Sequence, residues 1–106
     1  MTTPYRLVMT TCGTHAQAQD IARQLVANKQ AACVNILPNV ESIYVWQGEV
    51  TQDSEYKLMI KTHIDLVDAA METIHRLHQY DVPEIQVIEV CAGSRDYFNW
   101  IDEVLN

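Results

Sequence analysis

The sequence predicts an α+β fold in one domain that spans residues 1–106, and three observations support this prediction. Short runs rich in strand-forming residues alternate with segments whose apolar residues recur at helical spacing. Hydrophobic residues make up 48% of the chain and charged residues 20%, which is the balance of a folded globular protein. A length of 106 residues lies within the range of a single domain, about 100 to 200 residues.

The first half of the chain predicts a strand, a helix and a long strand. Residues 5–11 are apolar and rich in strand formers. Thr14 and Gln17 fit a capping box, in which the hydroxyl accepts a backbone amide and the Gln side chain reaches back to the cap, so we expect a helix to begin there. Residues 32–50 return to a strand pattern, with a bulge or kink at Pro38.

The second half predicts two more strands and two more helices. Thr51–Ser54 are turn residues, so we expect a strand at 56–62 to form an antiparallel hairpin with the long strand. Thr62 is the expected cap of a second helix that ends near Tyr80, and 84–91 form the fourth strand. A Gly-Ser pair precedes a last amphipathic helix. This order predicts a ferredoxin-like βαββαβ sandwich with an extra C-terminal helix.

The predicted long strand has an edge that its own sheet does not cover. We expect about 15 residues of this strand to face about 8 residues of its hairpin partner, which leaves the segment 43–49 unpaired. An open edge invites pairing with another chain, and a chain of this size gains stability by closing it. The sequence therefore predicts a homo-oligomer built by strand pairing, with Tyr44 and Trp46 as interface residues.

Charge and composition exclude several classes of function. The formal net charge of −7 opposes binding to a phosphate backbone, so no nucleic-acid partner is expected. No apolar run approaches the about 20 residues of a membrane span, and the N-terminal segment lacks the apolar stretch of a signal peptide, so no membrane partner is expected. Three cysteines without a Cys-x-x-Cys motif favour reduced thiols in the cytoplasm.

Two groups of side chains are candidates for chemistry. His75 and His78 stand at helical i, i+3 spacing, where both rings can face one metal ion; the alternative is that they border an apolar face at a helix C-terminus. Cys12 stands just before a helix, an environment that lowers a thiol pKa and suits a nucleophile or a soft-metal ligand. Its alternative is a buried thiol at the end of the first strand, and Cys33 and Cys91 are expected in the core.

Several separated motifs together resemble those of the CutA divalent-cation tolerance family. They are Ala31–Pro38, Ser42–Glu49, Glu55, Lys61–Thr62, His78–Glu84 and Tyr97–Trp100. The resemblance implies a cytoplasmic, non-enzymatic homotrimer whose subunit is similar in outline to the PII signalling proteins. It also implies a response to metal ions and binding of a divalent ion such as Cu²⁺, which the fold does not require.

The resemblance also implies where ligands bind. His78 matches the metal position of the family, and Cys12 and His75 are the further candidate ligands. Thr10 and Leu77 stand where metal-binding relatives have a cysteine and a second histidine.

A cleft between subunits is the second implied site, with a small cation as its ligand. Lys61, Tyr80 and Glu84 are expected to line it, close to His78. Asp81 and Glu84 offer oxygen ligands beside that histidine, or ion-pair partners for Lys61.

Two other classes of function stay open on the residues alone. One is a small thiol-dependent or anion-processing enzyme that uses Cys12 at the helix start. The other is a structural trimeric scaffold that docks a partner protein through its outer faces.

Overall fold

A four-stranded antiparallel sheet is the centre of the structure, a computed structural model that describes residues 2–106. The strands are β1 (Tyr5–Cys12), β2 (Cys33–Trp46), β3 (Glu49–His63) and β4 (Ile85–Glu89), and the helices are α1 (His15–Ala27), α2 (Val67–Leu77) and α3 (Arg95–Leu105). The strand order β2-β3-β1-β4 leaves β2 and β4 at the edges of the sheet. The predicted α+β fold of ferredoxin-like type is confirmed.

The main hydrophobic core lies between one face of the sheet and helices α1 and α2. Val8 of β1 lies opposite Ile60 of β3, so both side chains point to the same face. They pack with Ile21 and Leu25 of α1 and Ile74 of α2, and all five residues are fully buried. Burial of side chains of this size stabilises the fold by about 1.5–3 kcal/mol each. This layer therefore determines where both helices lie on the sheet.

Helix α3 covers one end of the opposite face. The ring of Phe98 stacks on Tyr5 with 4.1 Å between the ring centroids, and Ile101 completes this smaller core. Toward the other end, the face carries the partly exposed side chains of Met9 and Met59, which are paired across β1 and β3. None of the helices in residues 2–106 has the length and apolar character needed to cross a membrane.

Helix α1 begins at the predicted cap, but one predicted contact is replaced. The Thr14 hydroxyl accepts the Gln17 amide at 3.2 Å, as expected. The Gln17 side chain does not reach back to the cap. Its Nε2 donates to the Leu77 carbonyl at 3.2 Å, and its Oε1 accepts the Gln79 amide at 3.3 Å. Packing of α1 beside α2 brings these helix-end groups within reach, so Gln17 satisfies them instead.

The turn of the β2–β3 hairpin lies at Gln47–Gly48, so the predicted turn at Thr51–Ser54 is wrong. Both turn residues have positive φ, 51° and 83°, which a two-residue type I′ turn requires. Thr51–Ser54 lie inside β3, whose 15 residues pair along the whole of β2. The predicted lack of a hairpin partner for residues 43–49 is therefore wrong. The bulge predicted at Pro38 is confirmed by a register shift between Leu37 and Val40.

The distal part of this hairpin extends beyond the rest of the sheet. We call residues 40–55 the arm. β1 pairs with β3 over Tyr56–His63, and the arm continues past that end of β1 as a two-stranded ribbon. The tip of the arm is apolar, with Val45 68%, Trp46 63% and Val50 78% exposed. The extension predicted from the sequence therefore exists, but it contains two strands rather than one.

Helix α2 is shorter than predicted at both ends. Thr62 is not its cap, because this residue lies buried in β3 and its hydroxyl donates to a backbone carbonyl at 2.7 Å. Instead, Nδ1 of His63 accepts the Asp65 amide at 3.2 Å and caps a short 3-10 turn, Ile64–Leu66, that precedes α2. The helix ends at Leu77, three residues before the predicted end.

Strand β4 covers five residues rather than the predicted eight. The predicted core positions of two cysteines are wrong: Cys91 follows β4 and is exposed, and Cys33 is partly exposed on β2. Cys33 pairs with Lys61 on the face of the sheet opposite the main core, which explains its exposure. The start of α3 is as predicted, since the Ser94 hydroxyl accepts the Tyr97 amide at 3.4 Å.

Candidate functional site

The side chain of His78 connects the segment after α2 to the end of β1 through hydrogen bonds. Its Nε2 lies 2.7 Å from the Thr11 carbonyl oxygen, and its Nδ1 lies 3.1 Å from the Tyr80 amide nitrogen. A carbonyl oxygen only accepts and a backbone amide only donates, so the ring is the neutral tautomer with its proton on Nε2. Both ring nitrogens are therefore engaged in hydrogen bonds to the backbone.

His75 and His78 do not have the helical relationship that their spacing predicts. Helix α2 ends at Leu77, and the backbone of His78 is extended, with φ −71° and ψ 140°. His75 stays within the helix and is exposed. The geometry that would place both rings over one ion is not formed.

Cys12 is a buried thiol whose Sγ lies 3.9 Å from Nε2 of His78. Burial, followed by the negative charge of Glu55, raises the pKa of the Cys12 thiol to about 11. The predicted lowering of this pKa is wrong, because the loss of solvent outweighs the favourable field of the α1 N-terminus. The thiol is protonated at neutral pH, which favours the buried-thiol alternative over a nucleophile.

The three predicted metal ligands do not form a prearranged metal site. Across residues 2–106, no three His, Cys, Asp or Glu side chains are arranged to hold a metal ion. A metal needs a thiolate and an imidazole nitrogen with a free lone pair, whereas Cys12 is protonated and His78 accepts a backbone amide. The donor set in this conformation does not fit a divalent metal, and ligation by His78, Cys12 and His75 stays a prediction.

Tyr80 joins His78 to the arm. Its ring centroid lies 4.8 Å from that of His78, and its hydroxyl donates a 2.9 Å hydrogen bond to Oε2 of Glu55. Gly13 allows the close approach, because a Cβ there would lie 2.9 Å from the Tyr80 hydroxyl oxygen. Burial and the carboxylate of Glu55 raise the pKa of Tyr80 to about 12, so the phenol stays a proton donor.

Glu55 is a buried carboxylate on β3. It is 8% exposed, and its Oε2 accepts the Tyr80 hydroxyl. In the part of the chain that the structure describes, Oε1 accepts no hydrogen bond, and no Lys, Arg or His forms an ion pair with this carboxylate. Oε1 is not among the buried side-chain atoms that lack a partner, so this oxygen keeps contact with solvent at the cavity.

A cavity of about 660 Å³ lies between the arm and the loop after α2, and we call it the arm cavity. Three aromatic side chains line it: Tyr44, Trp46 and Tyr80. Four carboxylate residues also line it: Asp53, Glu55, Asp81 and Glu84. The Tyr44 hydroxyl donates to Asp53, as that of Tyr80 does to Glu55. No Lys, Arg or His of residues 2–106 lines the cavity, so the charged residues that line it are all acidic.

Two of the three predicted cleft residues, Tyr80 and Glu84, line the arm cavity. Lys61 is six residues from Glu55 along β3, a separation of about 20 Å, so within one chain it lies outside the cavity. The ion-pair partner of Glu84 is Lys57, with 3.7 Å between Nζ and Oε2, rather than Lys61. Lys57 lies on the same face of β3 as Glu55, which brings it to this end of the sheet.

The sequence predicts neither Asp53 nor Glu55 as a site residue, since Asp53 stands in the predicted turn at Thr51–Ser54 and Glu55 only among the family motifs. Once the turn is placed at Gln47–Gly48, the alternation along β3 puts Asp53, Glu55 and Lys57 on one face. The signal that would have found them is the Gln-Gly pair, whose second residue tolerates positive φ.

Comparison with known proteins finds that this chain is similar to members of one family. The family model for the CutA1 divalent ion tolerance protein matches residues 6–104. The divalent-cation tolerance protein CutA of Thermus thermophilus is 41% identical over 97 residues, which are 92% of this chain and 94% of that protein. Protein CutA of Mus musculus is 40% identical over 94 residues, 89% of this chain but 53% of the mouse protein, so the chain spans about half the length of that relative. The crystal structure of CutA from Xylella fastidiosa matches with a TM-score of 0.95 and 36% identity, covering 98% of this chain and all of that one.

Proposed function

Because the chain belongs to the CutA1 divalent ion tolerance family, we propose that it acts in the tolerance of divalent cations as a non-enzymatic homotrimer in the cytoplasm. The match over residues 6–104 is the observation that carries the proposal, since it includes the whole sheet except the first residue of β1. The four carboxylate residues that line the arm cavity support a general attraction of cations to this surface, although they do not converge on one metal position.

The arm supports the assembly into a trimer. Its two strands pair with each other, and over Glu49–Glu55 the inner edge of β3 extends past β1. Free strand edges next to exposed Val45 and Val50, 68% and 78% exposed, are a surface that another chain would cover. The exposed Leu37 and Ile88, on the sheet face opposite the main core, extend this apolar surface.

Light scattering coupled to size-exclusion chromatography tests the trimer. Three chains of 12.1 kDa give a mass of about 36 kDa, which we expect at low micromolar concentration. Trp46→Glu places a charge on the arm and is expected to lower this mass. Val26→Glu is the matched control, because Val26 is 41% exposed on α1, and this variant is expected to keep the mass of the wild type. A wild-type mass near 12 kDa would contradict the proposal.

Calorimetric titration with Cu²⁺ tests the metal part of the proposal. Three chains of −7 give −21, so general attraction of cations is expected, and only a comparison of variants identifies a ligand. Ligation by His78 requires its ring to release the Tyr80 amide or the Thr11 carbonyl. With that rearrangement, we expect His78→Ala to weaken Cu²⁺ binding and His15→Ala, which removes an exposed histidine on α1, to leave it unchanged. Identical isotherms for the wild type and His78→Ala would remove His78 from the site, without affecting the proposal of a trimer.

The cytoplasmic location is supported by the thiols. Cys12, Cys33 and Cys91 are free, and free thiols persist in a reducing compartment. Fractionation of cells that express the full gene is expected to recover the protein with cytoplasmic markers. Recovery with secreted or periplasmic markers would contradict the location.

A further inference from the structure

The ring of His63, the last residue of β3, caps the turn that leads into α2. Its Nδ1 accepts the backbone amide of Asp65 at 3.2 Å, and this bond caps the 3-10 turn Ile64–Leu66. Leu66, the N-cap residue of α2, makes no side-chain cap bond of its own. A backbone amide only donates, so Nδ1 of His63 carries a lone pair and no proton in this arrangement. The start of α2 therefore depends on a nitrogen that a proton can occupy.

Asp65 presents a second partner to the same nitrogen. Oδ2 of its carboxylate lies 3.4 Å from Nδ1 of His63. While Nδ1 is unprotonated, both atoms are acceptors and no hydrogen bond joins them. Once Nδ1 is protonated, the amide loses its acceptor, whereas the carboxylate gains a charged donor, and charge-assisted bonds are stronger than neutral ones. A single proton therefore decides which group of Asp65 the ring contacts.

A cavity of about 650 Å³ brings further carboxylates to this ring. It lies between the 3-10 turn and the last turns of α3, at the end of β3 that is distant from the arm. Asp102 and Glu103 of α3 line it together with Asp65. Among residues 2–106, His63 is the only lining residue that can carry a positive charge. A protonated ring therefore shares the cavity with three carboxylate residues from two elements.

Two groups of the sheet complete the surroundings of His63. From β1, the ring of Tyr5 lies edge-on to the imidazole, with 5.9 Å between the centroids. The Tyr5 hydroxyl donates to Asp102 at 2.7 Å, and this bond, followed by burial, raises the pKa of Tyr5. On β3, Lys61 lies two residues away on the same face, where its ammonium donates to Asn35. Histidine is the side chain that ordinarily changes charge between pH 5 and 8, so the ring is the pH-sensitive member of this set.

We propose that His63 is a proton-operated cap at the start of α2. With a neutral ring, Nδ1 accepts the Asp65 amide and holds the 3-10 turn. With a protonated ring, Nδ1 donates to the Asp65 carboxylate, and the amide is released to solvent. This inference goes beyond the proposed function, because it requires neither a metal nor a partner chain. His63 is eight residues from Glu55 along β3, about 26 Å, so the cap is separate from the arm cavity.

Nuclear magnetic resonance on the isotope-labelled protein, in its native assembly, tests the proposal. An N–H···N bond transmits a coupling between its two nitrogens, so we expect one between the Asp65 amide and Nδ1 of His63 at pH 8 and none at pH 5. Protection of the Asp65 amide against solvent exchange, corrected for the intrinsic pH dependence of exchange, is expected to fall about fivefold over this range, the scale of one hydrogen bond. A coupling that persists at pH 5, or protection that stays constant, would overturn the proposal.

Matched substitutions separate the proton from the shape of the side chain. His63→Asn supplies an oxygen that caps a helical turn and does not titrate, so we expect protection of the residue 65 amide to become independent of pH. His15→Asn, at an exposed position on α1, is the control and is expected to keep the pH dependence of the wild type. A fall of wild-type size in His63→Asn would show that acid loosens this region by another route and would contradict the proposal.

Asp65→Asn tests the second partner of the ring. At pH 5 we expect the Nδ1 proton of His63 to be observable in the wild type, because the Asp65 carboxylate holds it, and to be lost by exchange in Asp65→Asn. An equally protected proton in both proteins would contradict the exchange of partners. Circular dichroism on each variant confirms its fold, and the couplings of the wild type decide the proposal even where a variant does not fold.

Discussion

Tyr80 and Glu55 are joined by a 2.9 Å hydrogen bond from the phenol hydroxyl to Oε2 of the carboxylate. The two residues are 25 positions apart in the chain and belong to different layers of the site, the loop after α2 and strand β3. Both residues line the arm cavity, and the backbone amide of Tyr80 also donates to Nδ1 of His78. The site is therefore a connected set of hydrogen bonds rather than a set of independent side chains.

Tyr80→Phe is expected to lower the free energy of unfolding by about 1 kcal/mol, because it removes a hydrogen bond to a buried carboxylate. Tyr44→Phe is the matched control: its partner Asp53 is exposed and water replaces the lost donor, so we expect a smaller loss. Urea unfolding at constant protein concentration measures both. Equal losses would show that burial of Glu55 does not strengthen its bond.

Gly13→Ala is expected to destabilise the protein through Tyr80. The added Cβ would lie 2.9 Å from the hydroxyl oxygen, so the ring must move and its bond to Glu55 lengthens. In a Tyr80→Phe background that oxygen is absent, and the same substitution is expected to cost less. A double-mutant cycle by urea unfolding measures the coupling, which we expect at about 0.5 kcal/mol or more. Additive losses would contradict the contact.

Thr10→Val is expected to leave stability unchanged or to raise it by up to about 1 kcal/mol. The Thr10 hydroxyl is fully buried and has no hydrogen-bond partner in residues 2–106, so its replacement by a methyl group removes a desolvated polar atom. Thr62→Val is the control, because the equally buried Thr62 hydroxyl donates to the Gln30 carbonyl at 2.7 Å. We expect that variant to lose about 1–2 kcal/mol in thermal or urea unfolding. A loss of the same size in Thr10→Val would contradict the assignment.

The stability of the protein is expected to fall above pH 9. The folded pKa of Cys12, about 11, lies above the unfolded value of about 8.5, so the folded state retains a proton that the unfolded state loses. This contribution is complete below the unfolded pKa and is lost as the pH rises through the folded one. Tyr80, with a pKa of about 12, acts in the same direction at higher pH. Unfolding free energies from pH 8 to 10.5 are expected to fall less in Cys12→Ala than in the wild type.

Alkylation of the thiols provides a second measurement on Cys12. Its buried, protonated sulfur is expected to react much more slowly with iodoacetamide at pH 8 than the exposed Cys91. Mass spectrometry of partly labelled protein distinguishes the two. Alkylation of Cys12 at the rate of Cys91 would contradict the raised pKa and would reopen the thiol-enzyme alternative.

Local signals in the sequence account for much of the fold. Thr14 and Ser94 cap the helices that follow them, because a side-chain hydroxyl and its amide partner are three residues apart and need no tertiary context. Pro38 predicts the bulge for a similar reason, since a missing amide interrupts the ladder wherever it occurs. The Gln47–Gly48 pair is also a local turn signal. The polar residues Thr51–Ser54 have turn-forming composition as well, and composition alone does not show which of the two segments forms the turn.

The candidate site depends on distances that no local pattern contains. Its residue types and their order along the chain are properties of the sequence, as are the family motifs that include His78, Tyr80 and Glu84. Only the tertiary structure decided that Cys12 is a buried thiol with a raised pKa. The shift comes from burial of the thiol and from the negative charge of Glu55, which is distant in the sequence. It also decided that Lys57 rather than Lys61 reaches Glu84, because the pairing of Ile85 with Thr10 places Glu84 level with Thr11 and its β3 partner Lys57. Spacing along the chain determines which residues share a helix or a strand, whereas charge, solvation and contact across the sheet depend on how those elements pack.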